Sequence, residues 1–111
     1  MAEGYVYHEI LSTEKLTLDS TIATGDVYIQ RIGNLRIISG TVSMINTGAF
    51  QTLCNLSGDK PPVEINAPCS SYNNSIPSEI KLTTITGSLQ ISVPSGGNAN
   101  SIKFNFSYSV V

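Results

Sequence analysis

The chain has 111 residues, six basic and eight acidic side chains, and a net charge of −2, a length that suits one domain and would starve two of core. Charged residues make up 13%, about half the usual ~25% share, and the polarity comes instead from Ser, Thr and Asn. With no basic stripe and no apolar run near the ~20 residues of a membrane span, nucleic acid and membrane insertion are excluded as expectations, and no export signal is expected.

Taken in chain order, Tyr5 to Leu11 and Glu14 to Leu18 read as two short strands, and residues 1–18 could equally form an N-terminal extension. Asp26 to Ile32 and Leu35 to Ile45 are β-rich runs joined by Gly33-Asn34, where Gly supplies the positive φ of a II′ hairpin turn. The second arm changes phase at Ile37-Ile38 and meets Gly40, which predicts a bulge or a bend from one sheet to another. Phe50 to Leu56 is a further strand, followed by the polar, proline-stiffened loop Ser57 to Pro62 and a short run, Val63 to Asn66.

A long excursion, Ala67 to Pro77, has one aromatic at its centre, Tyr72. Glu79 to Ile85 and Ser88 to Val93 then read as a hairpin turning at Thr86-Gly87. After the Gly- and Asn-rich stretch Pro94 to Ser101 comes the clearest strand. From Ile102 to Val110 every even position is large and apolar and every odd one polar, so one face is buried. About eight or nine short strands with Gly, Pro, Asn and Ser between them predict one all-β domain over 1–111, an antiparallel β-sandwich.

Catalysis is not expected. The usual general base is represented only by His8, flanked by Tyr7 and Glu9 in an alternating run, and no acid stands in a conspicuous setting. Cys54, Cys69 and His8 are too few for a metal site, and Gly96-Gly97 precedes a strand rather than a helix, so neither metal nor cofactor is expected. Two cysteines allow one disulfide at most, and two free thiols are the simpler expectation. Sugar recognition fits the remaining residues. Amides beside an aromatic ring can bond hydroxyls while the ring covers a sugar face; Tyr72, Asn73 and Asn74 offer this in one loop, and Asn98 and Asn100 add amides in another. Asn is also a common turn residue, so the signal is broad.

The order of segments from Asp19 onward resembles the C-terminal head domains of bacteriophage and prophage tail fibres and receptor-binding proteins. The features run from the hairpin Val27 to Ile37 and Ile38-Ser39-Gly40-Thr41-Val42, through Phe50 to Leu56 and its Gly-Asp-Lys-Pro-Pro loop. Ile85 to Ile91 and the Phe-Ser-Tyr-Ser-Val-Val terminus complete them. The family commonly has Trp near the position of Phe50, whereas this chain has none. The resemblance implies a jelly-roll-like homotrimer at the tip of a virion tail, assembled in the bacterial cytoplasm beside other tail or baseplate proteins and contacting host cell-surface glycan. It transfers no individual site residue. Low charge also suits packing against copies of the chain, with Tyr5, Tyr7 and Val111 as contact candidates. Two alternatives remain: a purely structural baseplate or fibre module, and a bacterial lectin or adhesin domain with a Cys54–Cys69 disulfide.

Overall fold

The computed structural model describes residues 12–46, 48–69, 78–93 and 100–111. Period-2 alternation becomes two antiparallel four-stranded sheets packed face to face. In the first lie β1 (Ser12–Lys15), β2 (Ala23–Ile32), β3 (Leu35–Met44) and β8 (Ile102–Ser109), in the order β1-β2-β3-β8. The second holds β4 (Gly48–Asn55), β5 (Ile65–Cys69), β6 (Ser78–Leu82) and β7 (Ser88–Val93), in the order β4-β7-β6-β5. From β3 onward the chain folds back on itself in nested pairs, β3 with β8, β4 with β7 and β5 with β6, and the second sheet is a Greek key. The described residues therefore form an eight-stranded β-sandwich.

The β2–β3 hairpin follows the expected turn. Ile32 pairs with Leu35, and Gly33 alone of the two turn residues takes a positive φ, +57°, as a II′ turn requires. β8 alternates without a break, with Ile102, Phe104, Phe106 and Tyr108 buried and the odd residues exposed. These four meet Val27, Ile29, Ile38 and Val42 of their own sheet and Leu53, Ile80, Leu82, Leu89, Ile91 and Val93 of the other in one core. Each fully buried Leu or Ile contributes about 1.5–3 kcal/mol, so the alternation supplies the main driving force for this architecture.

Four local expectations are corrected. No bulge occurs at Ile37-Ile38: the β2–β3 register is unbroken from Ala23–Met44 to Ile32–Leu35. Ile38 faces the core, while Ile37 lies half-buried on the outer face. Gly40 is a close-approach residue; a Cβ there would lie 2.8 Å from both Asp26 O and Val27 Cγ2. The irregularities fall in β4 instead, between Gly48 and Gln51 and between Thr52 and Cys54, where Leu53 and Cys54 together oppose Leu89.

The first arm of the third hairpin ends earlier than the expected run Glu79 to Ile85. β6 ends at Leu82, and a five-residue connection, Thr83 to Gly87, carries Ile85 to the surface at 79% exposure. It is held by Thr83 N donating to Ser88 O and by Ser88 N donating to Thr83 Oγ1. β5 begins at Ile65 rather than Val63, and it runs through Pro68, which the sheet tolerates because β5 is an edge strand. β1 spans Ser12–Lys15 rather than Glu14 to Leu18, since after Leu16 N donates to Val27 O the chain leaves β2 and Asp19 N bonds Leu53 O on β4. The expected strand Tyr5 to Leu11 lies outside the described residues.

Candidate functional site

Strand direction sorts the connections to two ends of the sandwich. The β2–β3 turn, the β4–β5 and β6–β7 connections and the C-terminus lie at one end. The C-terminal ends of β1, β3, β5 and β7 and the N-terminal ends of β2, β4, β6 and β8 lie at the other.

The first end is locked by a single carboxylate. Ser12, Arg31, Arg36 and Tyr108 are ladder partners across all four strands of the first sheet, so their side chains form one row on the inner face. Above that row sits Asp59, the last residue of a one-turn 3-10 helix, Ser57–Asp59. Leu56 N donating to Gly87 O and Ser57 N donating to Thr86 O hold this turn against the β6–β7 connection. Arg31 donates from Nε to both Asp59 oxygens at 3.1 Å and from its second terminal nitrogen to Oδ2 at 2.8 Å. Arg36 Nε donates to Oδ1 at 2.6 Å, and the Tyr108 hydroxyl donates to the Asp59 backbone carbonyl at 2.7 Å.

The remaining donors are used nearby. Arg36 bonds the Gly33 and Leu35 carbonyls, and Arg31 bonds Ser12 Oγ and Glu14 Oε1. The guanidinium of Arg31 is the main cause holding the Asp59 carboxyl below its ordinary pKa of 3.8; burial opposes it and Arg36 assists. Arg31 is raised by the same bonds, and the Tyr108 hydroxyl is raised chiefly by burial. A carboxylate saturated by two cations is a poor proton acceptor, and the arrangement suits a clamp between the sheets rather than catalysis. Sequence reasoning passed over this cluster. Its signal was Arg31, two residues beyond Ile29 on the buried face, where a cation needs an anion.

At the opposite end, Cys69 pairs with Ser78 beside residues 70–77, and Val93 and Ile102 bound the β7–β8 connection. Of the expected sugar-contacting residues, Tyr72, Asn73, Asn74 and Asn98 lie outside the described residues. Asn100 is described and exposed, next to Ser101, whose N donates to Ser43 Oγ at 3.2 Å. Where the free edges of β5 and β8 approach, Pro68, Cys69, Lys103, Phe104 and Asn105 line an open groove of about 360 Å3. Ser78 is 2% exposed and its hydroxyl has no hydrogen-bond partner.

Both cysteines are free, and burial pushes the Cys54 thiol up to about 11 and, with help from Glu79, Cys69 to about 12. They occupy opposite edge strands of the second sheet and opposite ends of it. Three strand spacings of ~4.8 Å separate those edges, well beyond the ~7 Å Cα limit for a disulfide. An intramolecular Cys54–Cys69 bridge is incompatible with this fold. Among the described residues no three His, Cys, Asp or Glu side chains group to hold a metal ion, and His8 lies outside them. No family model matches the chain, and no curated protein matches it.

Proposed function

We propose that this chain is a non-catalytic recognition domain of a bacteriophage or prophage tail appendage, assembling as a homotrimer and binding host cell-surface saccharide. The observation that carries the recognition half is the asymmetry of the sandwich. The Asp59 clamp consolidates one end, while the strand ends Cys69, Ser78, Val93 and Ile102, which flank the amide-bearing residues 70–77 and 94–101 in the chain, lie at the other. Rigid sheets presenting polar loops at one end are a common basis for recognition surfaces. The saccharide reading adds the chemistry of Tyr72, Asn73, Asn74, Asn98 and Asn100, and the tail-appendage reading adds the resemblance of strand and turn order.

Host-cell pull-down and a glycan array with the purified chain test this reading. Binding that Tyr72→Ala abolishes while the β-rich spectrum is retained is the expected result. Failure to bind any host surface overturns the recognition half and leaves a purely structural virion module.

A further inference from the structure

We infer that the groove between the free edges of β5 and β8 is a subsite for a negatively charged sugar unit, with Lys103 as the cation that selects it. This rests on the recognition half of the reading above and adds the ligand class and the selecting residue.

Hydrogen-bond phase gives the groove a polar wall. Ile32 and Leu35 flank a two-residue turn and bond each other, so Arg36 and every second residue of β3 turn toward β8. Val110 N donating to Asn34 O keeps the same phase. The even residues of β8 are thereby spent on β3. Lys103 and Asn105 direct their backbone N–H and C=O groups to the free edge, where the groove lies. Beyond the ladder, no hydrogen bond reaches these groups or the two side chains among the described residues. Phe104 and Pro68 add apolar surface of the kind that the C–H face of a sugar ring covers. Behind Cys69 its ladder partner Ser78, 2% exposed, keeps a hydroxyl with no partner, a group that bound water or a ligand hydroxyl satisfies.

Charge identifies the ligand class. All six basic side chains lie among the described residues, and five are engaged. Lys15 pairs with Asp26, Arg31 and Arg36 with Asp59, Lys60 Nζ donates to the Ile85 carbonyl, and Lys81 lies over the Phe50 ring. Lys103 alone has no partner. Residues 70–77 and 94–101 contain no Asp or Glu to supply one. Asp26, two strands away in the same outward row, is held by Lys15, and Glu79 on the outer face of the second sheet makes no ion pair with Lys103. An unpaired ammonium at the rim of a polar-walled groove is complementary to an anion.

Size favours a sugar over a peptide. The groove, about 360 Å3, is at the small end of the ~300–1,000 Å3 range of ligand clefts. An added strand needs a longer run of free edge, and Pro68 on the facing strand offers no N–H.

Amide NMR spectra of the isotope-labelled chain test this, with glucose, glucuronate, phosphorylated glucose and inorganic phosphate as probes. The Lys103 and Asn105 amides are expected to shift with an anionic sugar and not with glucose, and the tighter of the two anionic sugars distinguishes carboxylate from phosphate. Lys103→Gln should weaken that binding about tenfold, the worth of one charge-assisted hydrogen bond, and Lys60→Gln at the clamped end should not. An equal response to glucose, or undiminished binding in Lys103→Gln, overturns the proposal. Inorganic phosphate acting as strongly as the phosphorylated sugar means an adventitious ion only and also overturns it. Unmoved β8 amides beside persistent glycan-array binding overturn this subsite and leave saccharide recognition standing, whereas no binding in either experiment overturns both.

Discussion

Arg31 and Arg36 stand directly opposite each other across the β2–β3 ladder, two guanidiniums sharing the carboxylate of Asp59. Like charges facing one another in a ladder repel, so the pair is tolerable only because the β4–β5 connection delivers an anion between them. The Asp59 and Arg36 side chains are each 13% exposed and Arg31 24%, which places the cluster between a surface ion pair and a fully buried one.

Asp59→Asn leaves Arg36 without its counter-charge and Arg31 with only the exposed carboxylate of Glu14. A loss of about 2 kcal/mol is expected, below the ~3–5 kcal/mol of a fully buried pair because water reaches Arg31. Urea denaturation measures it, and a change within about 0.5 kcal/mol would show that the clamp is energetically idle.

The same carboxylate sets a pH dependence. Its folded pKa is depressed below 3.8, so its contribution to stability is present above the unfolded value and is lost as pH falls through the folded one. Wild-type stability should therefore drop on acidification below about pH 4, and Asp59→Asn should show a smaller drop. Equal slopes for the two proteins in acid unfolding would contradict the assignment.

Gly40→Ala introduces a methyl 2.8 Å from Asp26 O and from Val27 Cγ2, in the centre of the first sheet. The backbone contact cannot yield by a rotamer change, so a destabilisation of about 1–3 kcal/mol is expected. A variant as stable as the wild type in thermal unfolding would mean that the two strands separate easily there.

Mild oxidation of the folded chain should leave its mass unchanged by any internal bridge. Cys54 and Cys69 are held too far apart, and their raised pKa values of about 11 and 12 keep both protonated at neutral pH. Intact mass spectrometry decides, since a loss of two hydrogens without dimer formation would require a different second sheet.

Much of the architecture was legible in the residues. The unbroken alternation from Ile102 to Tyr108 gave a strand with one buried face, and Gly33-Asn34 gave its hairpin turn, because both signals are local. The same rule misled where apolar residues fall outside strands. Ile85 falls in the β-rich run that begins with β6, yet it is out of phase with Ile80 and Leu82 and sits exposed in a connection, and Val63 precedes its strand with 64% exposure. The expected sugar contacts at Tyr72, Asn73, Asn74 and Asn98 remain a matter of residue chemistry.

By itself the sequence determined that the chain layers two sheets, since side-chain direction in a strand repeats every second residue and burial follows from it. Only the tertiary structure decided that Asp59 is held by Arg31, Arg36 and Tyr108, which lie 28, 23 and 49 residues away along the chain. It alone placed the two cysteines on opposite edge strands of the second sheet. Alternation specifies the face a residue takes, whereas these features depend on which strands become neighbours, and that is settled only when the whole core closes.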